Sequence, residues 1–281
     1  MKEEIKVSVY PGAAPAAQQT LRVELRNRME EFLERDLFSL AIQPVVDFHT
    51  NTSTNGEVLS RLEHPERGDI FPDDFLSAVD ALGLYPRFDR YIFHKSCAWL
   101  SWSLAAGVQM DCISSNFSRK TLSGENLAQD LVQIADHYGV PHGKLAVEIT
   151  EREQATDAQQ LIENLKQLKA AGFRIILDDY GNGVTSVKDL VQYPLDIVKI
   201  DSSMLLNAHT EQGVAAYREL VEMAKQLGAE VVCEGIETAE QNRFAREIGC
   251  HYGQGFLYFR PIRQDQLPEM MQKDSFFEET V

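Results

Sequence analysis

No stretch of the chain holds the roughly 18 consecutive apolar residues that a membrane-spanning helix needs, and no leader with a basic start and an apolar middle opens it. Membrane contact within this segment is therefore not expected, and a cytoplasmic setting is. Paired cysteine spacing is missing as well. Cys97, Cys112, Cys233 and Cys250 are scattered, which argues against a zinc knuckle or a disulfide framework and for reduced thiols in a core. The histidines show no ligand spacing, so His64 before Pro65 and His251 after Cys250 are read as surface or supporting groups. Basic charge is in short supply. The 27 Lys and Arg against 43 Asp and Glu leave a net charge of −16, which argues against the basic face that grips DNA or RNA polymers. There are no internal repeats or low-complexity tracts, so a solenoid is excluded.

What is present describes one folded unit. Apolar residues make up 44% of the 281 and charged residues 25%, enough for a real core. This length suits a single (β/α)8 barrel of about 250 residues. Residues 1–20 contain PGAAPAAQQ, a linker-like composition, and the domain is expected over 21–281. It starts with a lead-in helix at 21–36, apolar at Leu21, Leu25, Met29, Phe32 and Leu33.

Strands are expected at 38–48 and 56–62. The gap of about seven residues is too short for a parallel crossover, so this first pair should be antiparallel. Strands near 111–117, 144–149, 173–178, 196–200, 230–235 and 252–258 then alternate with helices near 73–83, 85–105, 125–138, 157–171, 185–192, 211–227, 238–248 and 263–273. Eight strands with this alternation predict an α/β fold, a (β/α)8 TIM-like barrel with an antiparallel first strand.

The stretch Ile175–Asp201 concentrates the chemistry. A buried strand runs into two adjacent carboxylates, Asp178 and Asp179, then into a glycine-rich loop, and a second buried strand ends at Lys199-Ile200-Asp201. A helix cap would account for one such Asp-Asp pair. The other strands make that account insufficient. Gln43 lies in the first, Glu57 and Arg61 in the second, and Asn116 ends the third. Glu148 ends the fourth with Glu151 just after it, Glu234 ends the seventh, and Gln254 lies in the eighth. Barrel enzymes assemble their sites at the C-terminal ends of several strands. Carboxylates gathered there repel one another unless a cation joins them, and hard divalent cations bind such oxygens.

The set GEVLSRLEHP, NFS, EITE, DDYGNG, KID, EGIE and GCHYGQGF resembles the EAL family of cyclic-di-GMP phosphodiesterases, from about Phe38 to Pro261. The resemblance implies a barrel of the kind read above. It implies a metal site for Mg²⁺ or Mn²⁺, two ions in all, held by Glu57, Asn116, Glu148, Asp178, Asp179 and Glu234. Lys199 would contact the attacking water, and Glu234 would also act as general base. Gln43 and Arg61 would touch substrate, Glu151 would brace the loop after Asp179, and Gln254 would stand near the metals. The larger, looser Ca²⁺ is expected to inhibit. A homodimer is expected, and so is a sensory or diguanylate-cyclase-like domain on the same full-length chain.

Two departures stand out. The family's Glu-Ala-Leu is Glu57-Val58-Leu59 here, and the loop usually similar to DDFGTGYSS is DDYGNGVTS. Alternation along a strand turns Val58 away from the side that Glu57 faces. The expected activity is therefore metal-dependent hydrolysis of cyclic-di-GMP to the linear dinucleotide pGpG. The alternative is a catalytically weak or inactive receptor on the same fold.

Overall fold

The computed structural model describes residues 15–150, 155–182 and 187–267. In chain order the elements are α1 (Pro15–Glu34), β1 (Phe38–Asp47), β2 (Asn55–His64), β3 (Gly68–Ile70), α2 (Pro72–Ala81), α3 (Tyr85–Ala105), β4 (Cys112–Ser118), α4 (Arg119–Leu122), α5 (Leu127–His137), β5 (Leu145–Thr150), α6 (Ala158–Ala170), β6 (Arg174–Tyr180) and α7 (Val187–Gln192). They continue with β7 (Ile197–Ile200), α8 (Ser202–Leu206), α9 (Glu211–Gln226), β8 (Glu230–Cys233), α10 (Ala239–Glu247), β9 (Tyr252–Gly253) and β10 (Ile262–Arg263).

Eight of the strands close a barrel in the order β1-β9-β8-β7-β6-β5-β4-β2, with β2 returning to β1. β1 runs antiparallel to both neighbours, as the short gap before β2 requires, and the other pairings around the ring are parallel. β3 and β10 are short additions on the free halves of β2 and β1.

The sequence explains how this barrel is filled. Residues two apart on a strand share a face. Outward positions such as Ile113, Val147, Ile175, Leu177, Val198 and Val231 join the core under the helices, with Leu131, Leu165, Leu168, Tyr217 and Val221. Inward positions form a separate apolar layer of Cys112, Ala146, Ile176, Ile197, Val232 and Tyr252. Two residues further along the same strands stand Ser114, Glu148, Asp178, Lys199, Glu234 and Gln254. The barrel interior thus changes from apolar to charged within one inward step, and the charged layer lies toward the C-terminal ends.

α1 packs its apolar stripe, Leu21, Leu25, Met29, Phe32 and Leu33, into the core. It begins at Pro15, so Pro15–Thr20 of the linker-like segment are helical. Its Glu24 reaches the end of β2. Glu24 Oε1 lies 3.0 Å from His64 Nε2, and Arg67 donates to Glu24 Oε2 at 2.9 Å. His64 is buried and is a supporting group here. All four cysteines are buried and free.

The eighth barrel strand is shorter than expected. β9 ends at Gly253, so Gln254 follows the strand rather than lying within it. Close approach is the reason. A Cβ on Gly253 would lie 2.5 Å from Phe48 Cζ, and one on Gly255 would lie 2.1 Å from the Ile236 carbonyl oxygen. Backbone cannot retreat as a side-chain tip can, so the chain turns here and threads Gln254 between two glycines. Gly255→Ala is expected to lower stability by about 1–3 kcal/mol and to displace Gln254. A thermal melt of the variant without a downward shift would exclude this packing. The helix expected near 263–273 does not start there, because Ile262 and Arg263 pair with β1; residues 268–273 lie outside the described residues.

Candidate active site

The charged layer converges on Lys199, which β7 places inside the barrel with 3% exposure. Its Nζ lies 2.9 Å from Glu57 Oε2, 2.6 Å from Glu148 Oε1, 2.7 Å from Glu234 Oε1 and 3.3 Å from Asp178 Oδ1. The four carboxylates come from β2, β5, β6 and the residue after β8. Asn116 Nδ2 donates to Glu57 Oε1 at 3.0 Å, and Gln254 Nε2 donates to Glu57 Oε2 at 2.8 Å. The expected set therefore comes together, with Glu57 at its hub.

Asp179 joins through a local distortion. The register of β6 against β7 shifts between Leu177 and Tyr180, and Asp179 adopts a left-handed backbone with φ of 53°. Regular alternation would send neighbouring side chains to opposite faces. The distortion lets Asp178 and Asp179 serve one site. Oxygens of Asp178, Asp179 and Glu234 all lie within 4.8 Å of one another. A left-handed non-glycine residue is a strain that surrounding contacts must hold.

Other expected residues stand at the rim. Gln43 faces Glu57 across the β1–β2 pair and donates to the Phe259 carbonyl at 3.3 Å. Arg61 is buried. Its Nη1 donates to the Ser60 carbonyl at 2.8 Å, and its guanidinium lies 4.8 Å from the centre of the Phe71 ring. Phe71 was not anticipated. Its place next to a proline, just before a helix, offers no sequence signal of a partner for Arg61. Glu151 lies outside the described residues, as do Gly183, Val184, Thr185 and Ser186 of the altered loop.

The electrostatics are those of a site waiting for positive charge. Burial pushes the Glu148 carboxyl up to about 8, with the Glu57 charge adding to the effect. Burial also raises Asp178, and raises Glu234 well above the usual carboxylate range. Glu57 resists its burial, because the Lys199 ammonium and the Asn116 and Gln254 amides hold it below the ordinary value. One ammonium faces four carboxylates, and Asp179 lies beside them as a fifth. Glu148 Oε2 is buried and has no hydrogen-bond partner. An all-oxygen donor set, an orphaned carboxylate oxygen and an excess of negative charge fit hard divalent cations.

This sets a proton linkage. Below about pH 8 the metal-free barrel keeps a proton on Glu148, and a cation must displace it. Cation affinity is therefore expected to rise with pH between about pH 6 and about pH 8. Calorimetric Mn²⁺ titrations across that range check this, and a flat profile would remove Glu148 from the donor set.

Fold and cluster together define a (β/α)8 barrel whose C-terminal mouth gathers carboxylates that could hold a metal ion. Within that class the chain belongs to the EAL domain family, which it matches over residues 26–261. The chain is 28% identical over 263 residues to the cyclic di-GMP phosphodiesterase NbdA of Pseudomonas aeruginosa, covering 92% of this chain and 33% of that protein. It is 30% identical over 259 residues to the probable cyclic di-GMP phosphodiesterase PdeB of Escherichia coli, covering 89% of this chain and 48% of that protein. The chain thus spans between a third and a half of these relatives' lengths. Among solved structures, the PaMucR phosphodiesterase in its c-di-GMP complex superimposes with a TM-score of 0.79 at 29% identity, covering 87% of this chain and 99% of that one. No helix among the described residues is long and apolar enough to cross a membrane.

Proposed function

We propose that the chain hydrolyses cyclic-di-GMP to the linear dinucleotide pGpG. The observation that carries this reading is the retention of the full donor set around Lys199. Glu57, Asn116, Glu148, Asp178, Asp179 and Glu234 all face one small volume at the mouth of the barrel, and a receptor has no need of so costly a concentration of buried carboxylates.

Glu57, Asn116, Glu148 and Asp178 would hold one Mg²⁺ or Mn²⁺, and Asp178, Asp179 and Glu234 a second. Bound there, the two ions would lower the pKa of a water and offset charge on the phosphorus oxygens. The chain's own groups do the rest. Glu234, whose carboxyl has a raised affinity for protons, accepts the proton that water loses. Lys199 contacts the attacking water, orients it and adds positive charge beside it. Asn116 and Gln254 keep Glu57 turned toward the centre, and Gln43 and Arg61 meet the substrate at the rim. The substrate is a dianion and the protein carries −16, so Arg61 and the ions supply the attraction. Ca²⁺, with its longer and looser coordination, would occupy the site without supporting turnover.

A homodimer fits the surface. Val187 and Val191 on α7 and Leu206 on α8, the helices after the fifth and sixth barrel strands, are among the exposed large apolar side chains.

Incubation with cyclic-di-GMP and Mg²⁺ or Mn²⁺ is expected to yield the linear dinucleotide, and Asp178→Ala is expected to abolish it. Binding by the intact protein without any product in either metal would overturn the enzyme and make this chain a receptor. Undiminished turnover by Asp178→Ala would overturn the two-metal arrangement.

A further inference from the structure

The chain has two tryptophans, Trp99 and Trp102, and both line one cavity of about 540 Å³ against α3. None of the carboxylates around Lys199 lines it. A helix on the outside of a barrel ordinarily turns polar side chains to water. α3 instead sets Tyr91, Lys95, Trp99 and Trp102 along this cavity at helical spacing, and Tyr138, where α5 ends, lines it too. Several of these rings are fixed. Trp99 Nε1 donates to the Gln264 carbonyl at 3.0 Å, and the Tyr91 hydroxyl donates to Asp36. Tyr138 packs edge-on against His137, with ring centres 4.9 Å apart, and against His94 at 6.0 Å. Trp102 is 55% exposed, so its ring is open to a ligand.

Charge selects the kind of ligand. The faces of aromatic rings attract cations, and this wall already holds one. Lys95 Nζ lies 5.3 Å from the centre of the Tyr91 ring and 2.7 Å from Asp36 Oδ1. Trp99, Trp102, Tyr138 and Asp265 repeat that combination of rings and carboxylate in the rest of the lining. Arg263 Nε lies 3.5 Å from Asp265 Oδ1, but the same guanidinium serves Glu63 at 2.9 Å and Asp69 at 3.2 Å. Three carboxylates thus share one guanidinium, and Lys95 only balances Asp36, so the local charge is negative. Burial lowers the proton affinity of His94, and the nearby His137 adds to the effect. His94 therefore brings no positive charge at neutral pH.

We infer that this cavity is a second ligand site, which binds an organic ammonium ion through the rings of Trp99, Trp102 and Tyr138 and the carboxylate of Asp265. A bare metal ion does not suit it, since hard cations need a shell of oxygens that these rings do not offer. An alkylammonium suits it, because its charge is spread over weakly hydrated methyl or methylene groups that lie against aromatic faces. The volume is that of a small-molecule site. The inference stands apart from the proposed hydrolysis and does not depend on it.

Because both tryptophans line this cavity, the intrinsic emission of the whole, unlabelled chain reports on it. Choline chloride is the probe. Its uncharged analogue, with carbon in place of nitrogen, and sodium chloride are titrated in parallel. Choline is expected to change the emission saturably, and neither control is. Calorimetry then compares variants. Trp102→Ala, at an exposed position, is expected to weaken choline about tenfold, between the exposed and the desolvated scale of a cation on a ring. Asp265→Asn is expected to weaken it in the same direction. A response to choline that does not saturate, or an equal response to the uncharged analogue or to sodium chloride, overturns the site. Wild-type affinity for choline in folded Trp102→Ala overturns it as well.

Discussion

Glu234→Gln is expected to bind cyclic-di-GMP while single-turnover hydrolysis falls by about 10² or more, the usual scale for losing a general base. The change keeps the shape and one carbonyl oxygen and removes the charge and the proton acceptor. Glu234 follows the apolar Val231-Val232-Cys233 run, and burial raises its affinity for a proton far above that of a surface glutamate. Bound cations would oppose that effect and leave the carboxylate free to take a proton from water. It is also 2.7 Å from Lys199 and shares a cluster with Asp178 and Asp179, so cation affinity should weaken as well. Calorimetry and rapid-quench hydrolysis on one preparation separate the two effects. Near-normal hydrolysis by the folded variant at saturating Mg²⁺ would end the catalytic role of Glu234.

Replacing Lys199 by Met is expected to produce the largest loss of stability of any substitution considered. The ammonium is the shared partner of four carboxylates, two of which, Glu57 and Glu148, are buried. Removing one member of a buried ion pair typically costs about 3–5 kcal/mol, because the remaining charge is left unmatched. Glu57 should then lose the influence that holds its carboxyl low, and protons should replace the missing cation. Added Mg²⁺ or Mn²⁺ should restore part of the melting temperature, since the ions supply the charge that Lys199 did, but turnover should stay low. A metal-free melt of Lys199→Met equal to that of the wild type would refute this central place of Lys199.

Much of the barrel could be read from the chain because its determinants are local. The seven-odd residues between β1 and β2 forbid a parallel crossover, and the first strand is antiparallel. The polar residues late in apolar strands share an inward face because strands alternate with a period of two. The nearness of Glu57, Asn116, Glu148, Asp178, Lys199, Glu234 and Gln254 therefore follows from strand order alone. What escaped depends on contacts between distant segments. The short β3 and β10 and the one-turn α8 carry too few residues to show a period. The left-handed turn at Asp179, which brings two neighbouring aspartates to one site, is imposed by the register shift against β7. The early end of β9 is imposed by Phe48 and Ile236, far away in sequence. His64 gave no hint of burial, because its partner Glu24 lies forty positions upstream on α1.

The reversed direction of β1 also decides where the chain joins the barrel. In a barrel of parallel strands the first strand starts on the floor, opposite the site. Here β1 starts at the mouth and descends, and the β1–β2 hairpin turns at the floor. α1 therefore approaches from the same face as the carboxylates, and Glu24 fastens it to His64 and Arg67 where β2 emerges. β2 is the strand that carries Glu57 and Arg61. A helix of twenty residues is about 30 Å long, and α1 lies with Leu21, Leu25, Met29, Phe32 and Leu33 packed into the core beside that strand. A displacement of α1 would therefore reach the mouth of the barrel through Glu24, His64 and Arg67 at the end of β2, with no need to cross the core.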